Sequence, residues 1–426
     1  MRFGFIRNEI EAFNVFNPDA KKLLVITLVF AMAFPFVIIF GSAFVLRLTG
    51  GNNTMAIIYN WGFFSGLIIG YFINGKVLKR GYDIRKVFAT GMMLTVIPLS
   101  LLMFFGRGSG YDVIIYGLFI GTGNGIYWSC RNIVTYQATK DENRNFFTSV
   151  EQFIIVSSNA LIPLLFGTLI LGSNTTMGAK MEAYKYTSVV VVGITFFAAF
   201  LILKSNFATP AIGRFIYFKF HKVWQWQRLL TFSTGIVQAG FMVLMTLLIL
   251  NVAGDEAVLG KIEFAAAIVS VITIYIVGRI SKPSQRDIIM LAGAVSLLIG
   301  GIFLAFTIEN ENLLLGFVAV SFLGVVVMKI GQVIADPMIQ SSFKATYLTS
   351  IEKMSLTENK NIYAYIMDNE FFLNGGRIFG SAVFLLIMQF MNHIIALKYI
   401  FIILALTQFL SAFLIRRLTL FKVVNK

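Results

Sequence analysis

The sequence is poor in the residues that soluble enzymes use for chemistry. Among 426 residues there is one cysteine, Cys130, and there are two histidines, His221 and His393. A single cysteine excludes a disulfide framework and any cysteine-based metal site, and two histidines leave little for a metal or a histidine-centred triad. Charge is scarce too, with Asp, Glu, Lys and Arg making up 13% of the chain. No GxxxxGK[ST] loop is present, so no motor for primary transport is evident and no cofactor is called for. The start of the chain mixes charged and aromatic residues without a short apolar core and small-residue cleavage site, so no removable signal peptide is expected.

Apolar side chains are abundant instead: 58% of residues are hydrophobic and the mean hydropathy is +0.81. That is the composition of a membrane protein. The net charge of +15 comes in short basic bursts between apolar runs, the pattern of membrane topology, and no nucleic-acid partner is expected. A bilayer-spanning helix needs about 20 consecutive apolar residues, because lipid cannot satisfy an unpaired backbone. Twelve segments meet this, near 23–46, 55–74, 87–105, 112–136, 147–171, 185–204, 228–251, 258–280, 287–307, 312–335, 362–390 and 394–417. The expected fold is therefore all-α and polytopic.

With both termini in the cytoplasm, most Lys and Arg fall on that side. Only Arg47, Arg107, Lys180, Lys185, Lys261 and Lys398 lie outside, and Lys329 and Arg377 lie inside spans. Residues 1–22 place Phe3, Ile6, Ile10 and Phe13 at helical spacing, an interfacial amphipathic segment. The polar stretch 205–227, with Lys219, Lys222, Trp224 and Trp226, separates six helices (23–204) from six more (228–417), and 418–426 form a tail. This linker is read as a tether or a partner-binding segment.

The halves echo each other. The loop between spans 2 and 3 carries Gly75, Lys76, Lys79, Arg85 and Gly91, and the loop between spans 8 and 9 carries Gly278, Arg279, Lys282, Arg286 and Gly293. Glu151 and Glu370 each sit just inside a span entered from the cytoplasm, and Arg131 and Lys329 near the cytoplasmic ends of spans 4 and 10. With these features the chain resembles the major facilitator superfamily: two pseudo-symmetric six-helix bundles, a cytoplasmic linker and a Gly-rich basic motif, here Gly75, Leu78, Arg80, Gly81, Arg85 and Lys86. Lys79 stands where that family usually has an aspartate, and Gly81 follows Arg80 directly.

The resemblance implies a secondary transporter of a small solute working by alternating access, with spans 1, 4, 7 and 10 lining a central cavity. It also implies cytoplasmic gate contacts, for which the expected pairings are Arg131 with Glu370 and Lys329 with Glu151. The competing roles for Arg131, Lys329 and Arg377 are binding an anionic substrate group and snorkelling to the surface. Asn124, Tyr127 and Trp128 are cavity candidates, although packing is the commoner role for each. In the run from Gly121 to Arg131, Gly121 and Gly125 are expected to let span 4 approach a neighbour closely. Pro35, Gly41, Pro163 and Asn374 to Gly376 are candidate kinks. The basic candidates tilt the substrate towards an anionic or amphiphilic solute, and Glu151, Glu263, Asp336 and Glu370 leave proton coupling open. A monomer in a bacterial cytoplasmic membrane, in contact with its lipids, is expected. The alternatives are an integral-membrane enzyme, for which Asp368 with Glu370 is the nearest approach to an acid cluster, and a lipid-handling or assembly protein on the same scaffold.

Overall fold

The computed structural model describes residues 16–139, 141–172, 176–253, 256–280, 283–307, 314–391 and 393–424. The amphipathic segment anticipated at 1–22 thus lies mostly outside the described residues. Twelve long helices follow in order: α1 Pro18–Leu48, α2 Asn53–Lys79, α3 Ile84–Phe105, α4 Gly110–Ala138, α5 Asp141–Gly172, α6 Met177–Leu203, α7 Lys222–Ala253, α8 Glu256–Ile280, α9 Arg286–Thr307, α10 Leu314–Glu358, α11 Ile362–Phe390 and α12 His393–Val424. Among the described residues there is no strand, as lipid demands of a chain whose backbone must satisfy itself. Eleven of the helices are long and apolar enough to cross a membrane. The exception is α4, whose Gly, Asn, Ser and Arg residues are shielded by α2 and α3.

Local chemistry sets the helix ends. Asn17, Asn52, Asp83, Ser109 and Asn361 accept a backbone N–H in the first turn of α1, α2, α3, α4 and α11. Gly81, at φ +80°, ends α2: its N–H bonds to the Leu78 carbonyl while Tyr82 N–H reaches Val77, a Schellman motif that needs a left-handed residue there. The kink expected at Pro35 is present. α1 breaks between Ala31 and Phe36 and resumes through a π-helical turn, Phe36–Phe40. The Pro163 and Asn374 to Gly376 positions lie within helices that continue through them.

The helices pack in two groups. α2 and α4 cross so closely that a Cβ on Gly121 or Gly125 would overlap the carbonyls of Phe63 and Leu67, and one on Gly66 or Gly70 those of Leu118 and Thr122. Matching glycines, Gly235 and Gly376, let α7 and α11 cross in the same way. Between the groups the main contacts are α2 with α11 and α5 with α8.

Two boundaries differ from expectation. α10 runs 23 residues beyond 335, to Glu358, and α7 begins at Lys222, so Trp224 and Trp226 belong to a helix and the linker is confined to 204–221. The linker is fastened to the first group. The Ser205 carbonyl accepts from Arg85, Thr209 Oγ1 accepts from Ile84 N–H at 3.1 Å, and Phe215 fills the space beside Gly75.

Candidate functional site

Charged side chains inside the helical body form separate groups along the long axis, from the end opposite the linker to the linker end. At the far end Arg47 of α1 donates to Glu256 of α8 at 2.6 Å, and Lys180 of α6 reaches the other oxygen at 3.4 Å. The Glu256 side chain has 0% exposure, so one carboxylate of the second group is enclosed by two cations of the first. Nearby, Asn251 of α7 donates to Asn53 of α2 at 3.0 Å, again across the groups. Hydropathy gave no hint of Glu256, because it sits where an apolar run meets a loop.

Further in, Lys329 donates to Glu263 of α8 at 2.7 Å, and Asp336, two turns along α10, senses both charges while accepting from Gln332 at 3.3 Å. Arg377 of α11 donates to Gln238 of α7 at 3.1 Å through Nε and to Asn374 at 2.7 Å, with the Phe64 ring of α2 5.7 Å from its guanidinium. Glu370, two turns before it, faces Arg377 and Tyr71 of α2. The guanidinium thus donates to neutral amides, while the Glu370 carboxylate acts on it through space without forming an ion pair among the described residues.

Nearer the linker, Arg131 forms an ion pair with Glu151 on the adjacent α5, Nε to Oε1 2.8 Å, and stacks over Trp128 at 4.6 Å. The two expected pairings, Arg131 with Glu370 and Lys329 with Glu151, are not formed. The reason is depth. Since α10 extends to Glu358, Lys329 lies far from the linker end, and the lysine of α10 that senses Arg131 and Glu151 is Lys344, which the sequence placed beyond the helix. Glu370 is turned to the α2 face.

A neutral cross-link completes this end. Tyr363 of α11 shares a hydrogen bond with Ser129 of α4 at 2.9 Å and donates to the Tyr71 carbonyl at 3.4 Å, while its ring meets Phe215 of the linker edge-on. Ser129 in turn accepts from Asn74, and Cys130 donates to the same asparagine, so the one thiol is buried in a structural network.

The remaining candidates divide plainly. Asn124 is buried, Tyr127 is packed among Phe30, Phe88 and Trp128, and Tyr127 and Trp128 line a small pocket with Thr27, Phe34 and Asn159. In the loop motif, Leu78 is core, while Arg80 and Lys86 are exposed. Arg85 forks onto Asp83 at 2.7 Å, which holds that carboxyl below the usual range. Asp368 is bound by Arg228 at 2.7 Å and by Trp224 at 2.6 Å within the second group, so it forms no acid pair with Glu370. Among the described residues no group of His, Cys, Asp and Glu could hold a metal.

No family model matches the chain. It is 24% identical over 347 residues to the uncharacterized protein YqgE of Bacillus subtilis strain 168, covering 79% of this chain and 75% of that one. It is 25% identical over 203 residues to an uncharacterized protein in the sodM 3′ region of Geobacillus stearothermophilus, covering 48% of this chain and 92% of that one. Among solved structures, a D-xylose-proton symporter aligns at TM-score 0.70 and 14% identity over 92% of this chain and 96% of its own. A bacterial homologue of the iron transporter ferroportin, in its inward-facing state, aligns at 0.60 and 14% over 94% and 98%. The nucleoside transporter NupG aligns at 0.62 and 11% over 95% and 99%. The likeness is one of fold and covers nearly the whole chain.

Proposed function

We propose that this integral membrane protein, which has the major facilitator fold, is a secondary transporter that carries a small solute by alternating access between its two helix bundles. The observation that carries the proposal is the enclosed Glu256, clasped by Arg47 and Lys180 of the other bundle. A buried ion pair adds little net stability, because desolvation offsets most of the attraction. Three charges spent across a bundle interface therefore act best as a lock, closed in one state and hydrated in the other. The Tyr363 to Ser129 contact is the counterpart at the linker end.

Arg377 is the proposed substrate contact. It lies halfway along α11, between the bundles, and amides rather than a carboxylate hold its guanidinium. That arrangement suits an anionic group on the solute, with Tyr71 and Phe64 offering aromatic walls. Arg131, Glu151 and Lys344 make up the charged layer on the cytoplasmic side, the linker and both termini facing the cytoplasm by the distribution of Lys and Arg.

Purified protein in liposomes loaded with mixtures of organic anions, sugars and nucleosides tests the proposal, after a thermal-shift screen narrows the solutes. Uptake of one class, abolished by Arg377→Gln, is expected. Absence of movement for every solute that stabilises the protein would defeat it.

A further inference from the structure

We propose that Asp336, with Lys329, Glu263 and Gln332, forms a proton-binding site within the membrane-spanning part of α8 and α10, and that this proton is the coupling ion of the transporter. The inference rests on the transport proposal above and deepens it. Lys329 carries one positive charge and is already paired with Glu263 at 2.7 Å. Asp336, two turns along the same helix, accepts from the Gln332 amide at 3.3 Å and forms no ion pair among the described residues, so the cluster has one negative charge in excess when all three groups are ionised. The charges acting on Asp336 come from Lys329 on its own helix and from Glu263 on α8, and α7, α9, α11 and α12, which also pack on α10, add none among the described residues. Asp336 is half-buried, and a carboxylate inside a membrane-spanning segment with no cation of its own tends to take up a proton rather than remain charged.

Gln332 supplies an independent observation. Its side chain is 8% exposed and its amide points at Asp336, yet its Oε1 has no hydrogen-bond partner. A carboxylate cannot donate to that oxygen, whereas a carboxyl can. A carboxyl at Asp336 can pair with the Gln332 amide through two bonds, its O–H donating to Gln332 Oε1 while Gln332 Nε2–H keeps donating to its C=O, so that acceptor and donor are both satisfied. A metal cation would need more oxygen ligands than two carboxylates and one amide, beside a repelling ammonium. A proton has no such requirement.

The balance is simple. Asp336 carboxylate and one proton give the neutral carboxyl, and the cluster goes from one net negative charge to zero. In the neutral form the bundles can close over it. In the ionised form the cluster needs water on one side, so exchange of the proton is tied to opening.

Infrared pH-difference spectra of the full-length protein in a lipid film read a protonated carboxyl through its deuterium-sensitive C=O band, without any solute. The wild type is expected to show this band at neutral pH and Asp336→Asn to lose it. Glu263→Gln is expected to lose it as well, because Asp336 then becomes the only carboxylate for Lys329. Lys329→Gln is expected to keep it, and Asp83→Asn, outside the cluster, to leave it unchanged. A wild type without the band, a band that survives in Asp336→Asn, or one that persists in Glu263→Gln would overturn the site. If the band behaves as expected but no solute moves in liposomes, the transport proposal fails while the proton site is upheld. Transport without the band has the opposite meaning.

Discussion

Arg47 on α1 and Glu256 on α8 meet at 2.6 Å at the end of the molecule opposite the linker, and the carboxylate they share with Lys180 is closed off from solvent. Removing the acid leaves two cations of the first bundle side by side, with no carboxylate of the second bundle to hold them. Glu256→Gln should therefore open this end. In a Cys130→Ala background, a cysteine placed at Asn53 should react with a membrane-impermeant maleimide at least several-fold faster in Glu256→Gln than with Glu256 intact. Equal rates would mean that the triad is not a lock.

Arg131 and Glu151 are a pair on neighbouring helices of one bundle, so their test is stability rather than gating. Taking away one partner of a buried pair costs about 3–5 kcal/mol. Arg131→Glu should lower the apparent melting temperature in detergent strongly, and Arg131→Glu with Glu151→Arg should recover much of it. The combination with Glu370→Arg should recover none.

Glycine packing gives a sharper contrast. A Cβ at Gly121 would enter the Phe63 carbonyl, whereas one at Gly193 on α6 meets nothing within 4 Å. Gly121→Val should cost about 1–3 kcal/mol or more through overpacking. Gly193→Ala should raise stability by about 0.5–1 kcal/mol, since alanine restricts the unfolded chain more than glycine does. Thermal unfolding of the two variants beside the parent decides the matter.

Asp83 joins the α2–α3 loop to the linker through Arg85, and this arginine holds the carboxyl below its ordinary value. A depressed folded value means the contribution is fully present above the unfolded value, about pH 4, and is lost as pH falls through the folded one. Limited proteolysis of the linker should therefore speed up below about pH 4 in the parent. In Asp83→Asn the rate should be raised at neutral pH and nearly flat across that range.

Much of the fold was legible in the sequence, because lipid demands runs of apolar residues, and each of the twelve helices overlaps such a run. The end of α10 was not. Hydropathy records where lipid stops, and from Asp336 onwards this helix continues with polar residues such as Gln340, Lys344 and Thr349 that favour no such signal. The lost residues carried the error into the site. Lys329 was assigned a place near the linker end that Lys344 holds, and the partner choice failed with it. Arg131, Glu151, Lys329 and Glu370 could be recognised as charges inside the membrane, but which of them meet depends on helix rotation and depth. Neither is written in spacing along one chain. Gly121 and Gly125 fared better, since small residues at that interval have a single geometric use.

Alternating access itself is tested most directly by the distances between the bundles at the two ends. Spin labels at Asn52 and Lys261 report the far end, and labels at Tyr82 and Leu356 the linker end, all exposed positions. Double electron–electron resonance in lipid nanodiscs should show two populations for each pair, with Glu256→Gln lengthening the far-end distance while the linker-end distance shortens. A single unchanging distance at both ends, with and without that substitution, would contradict the account.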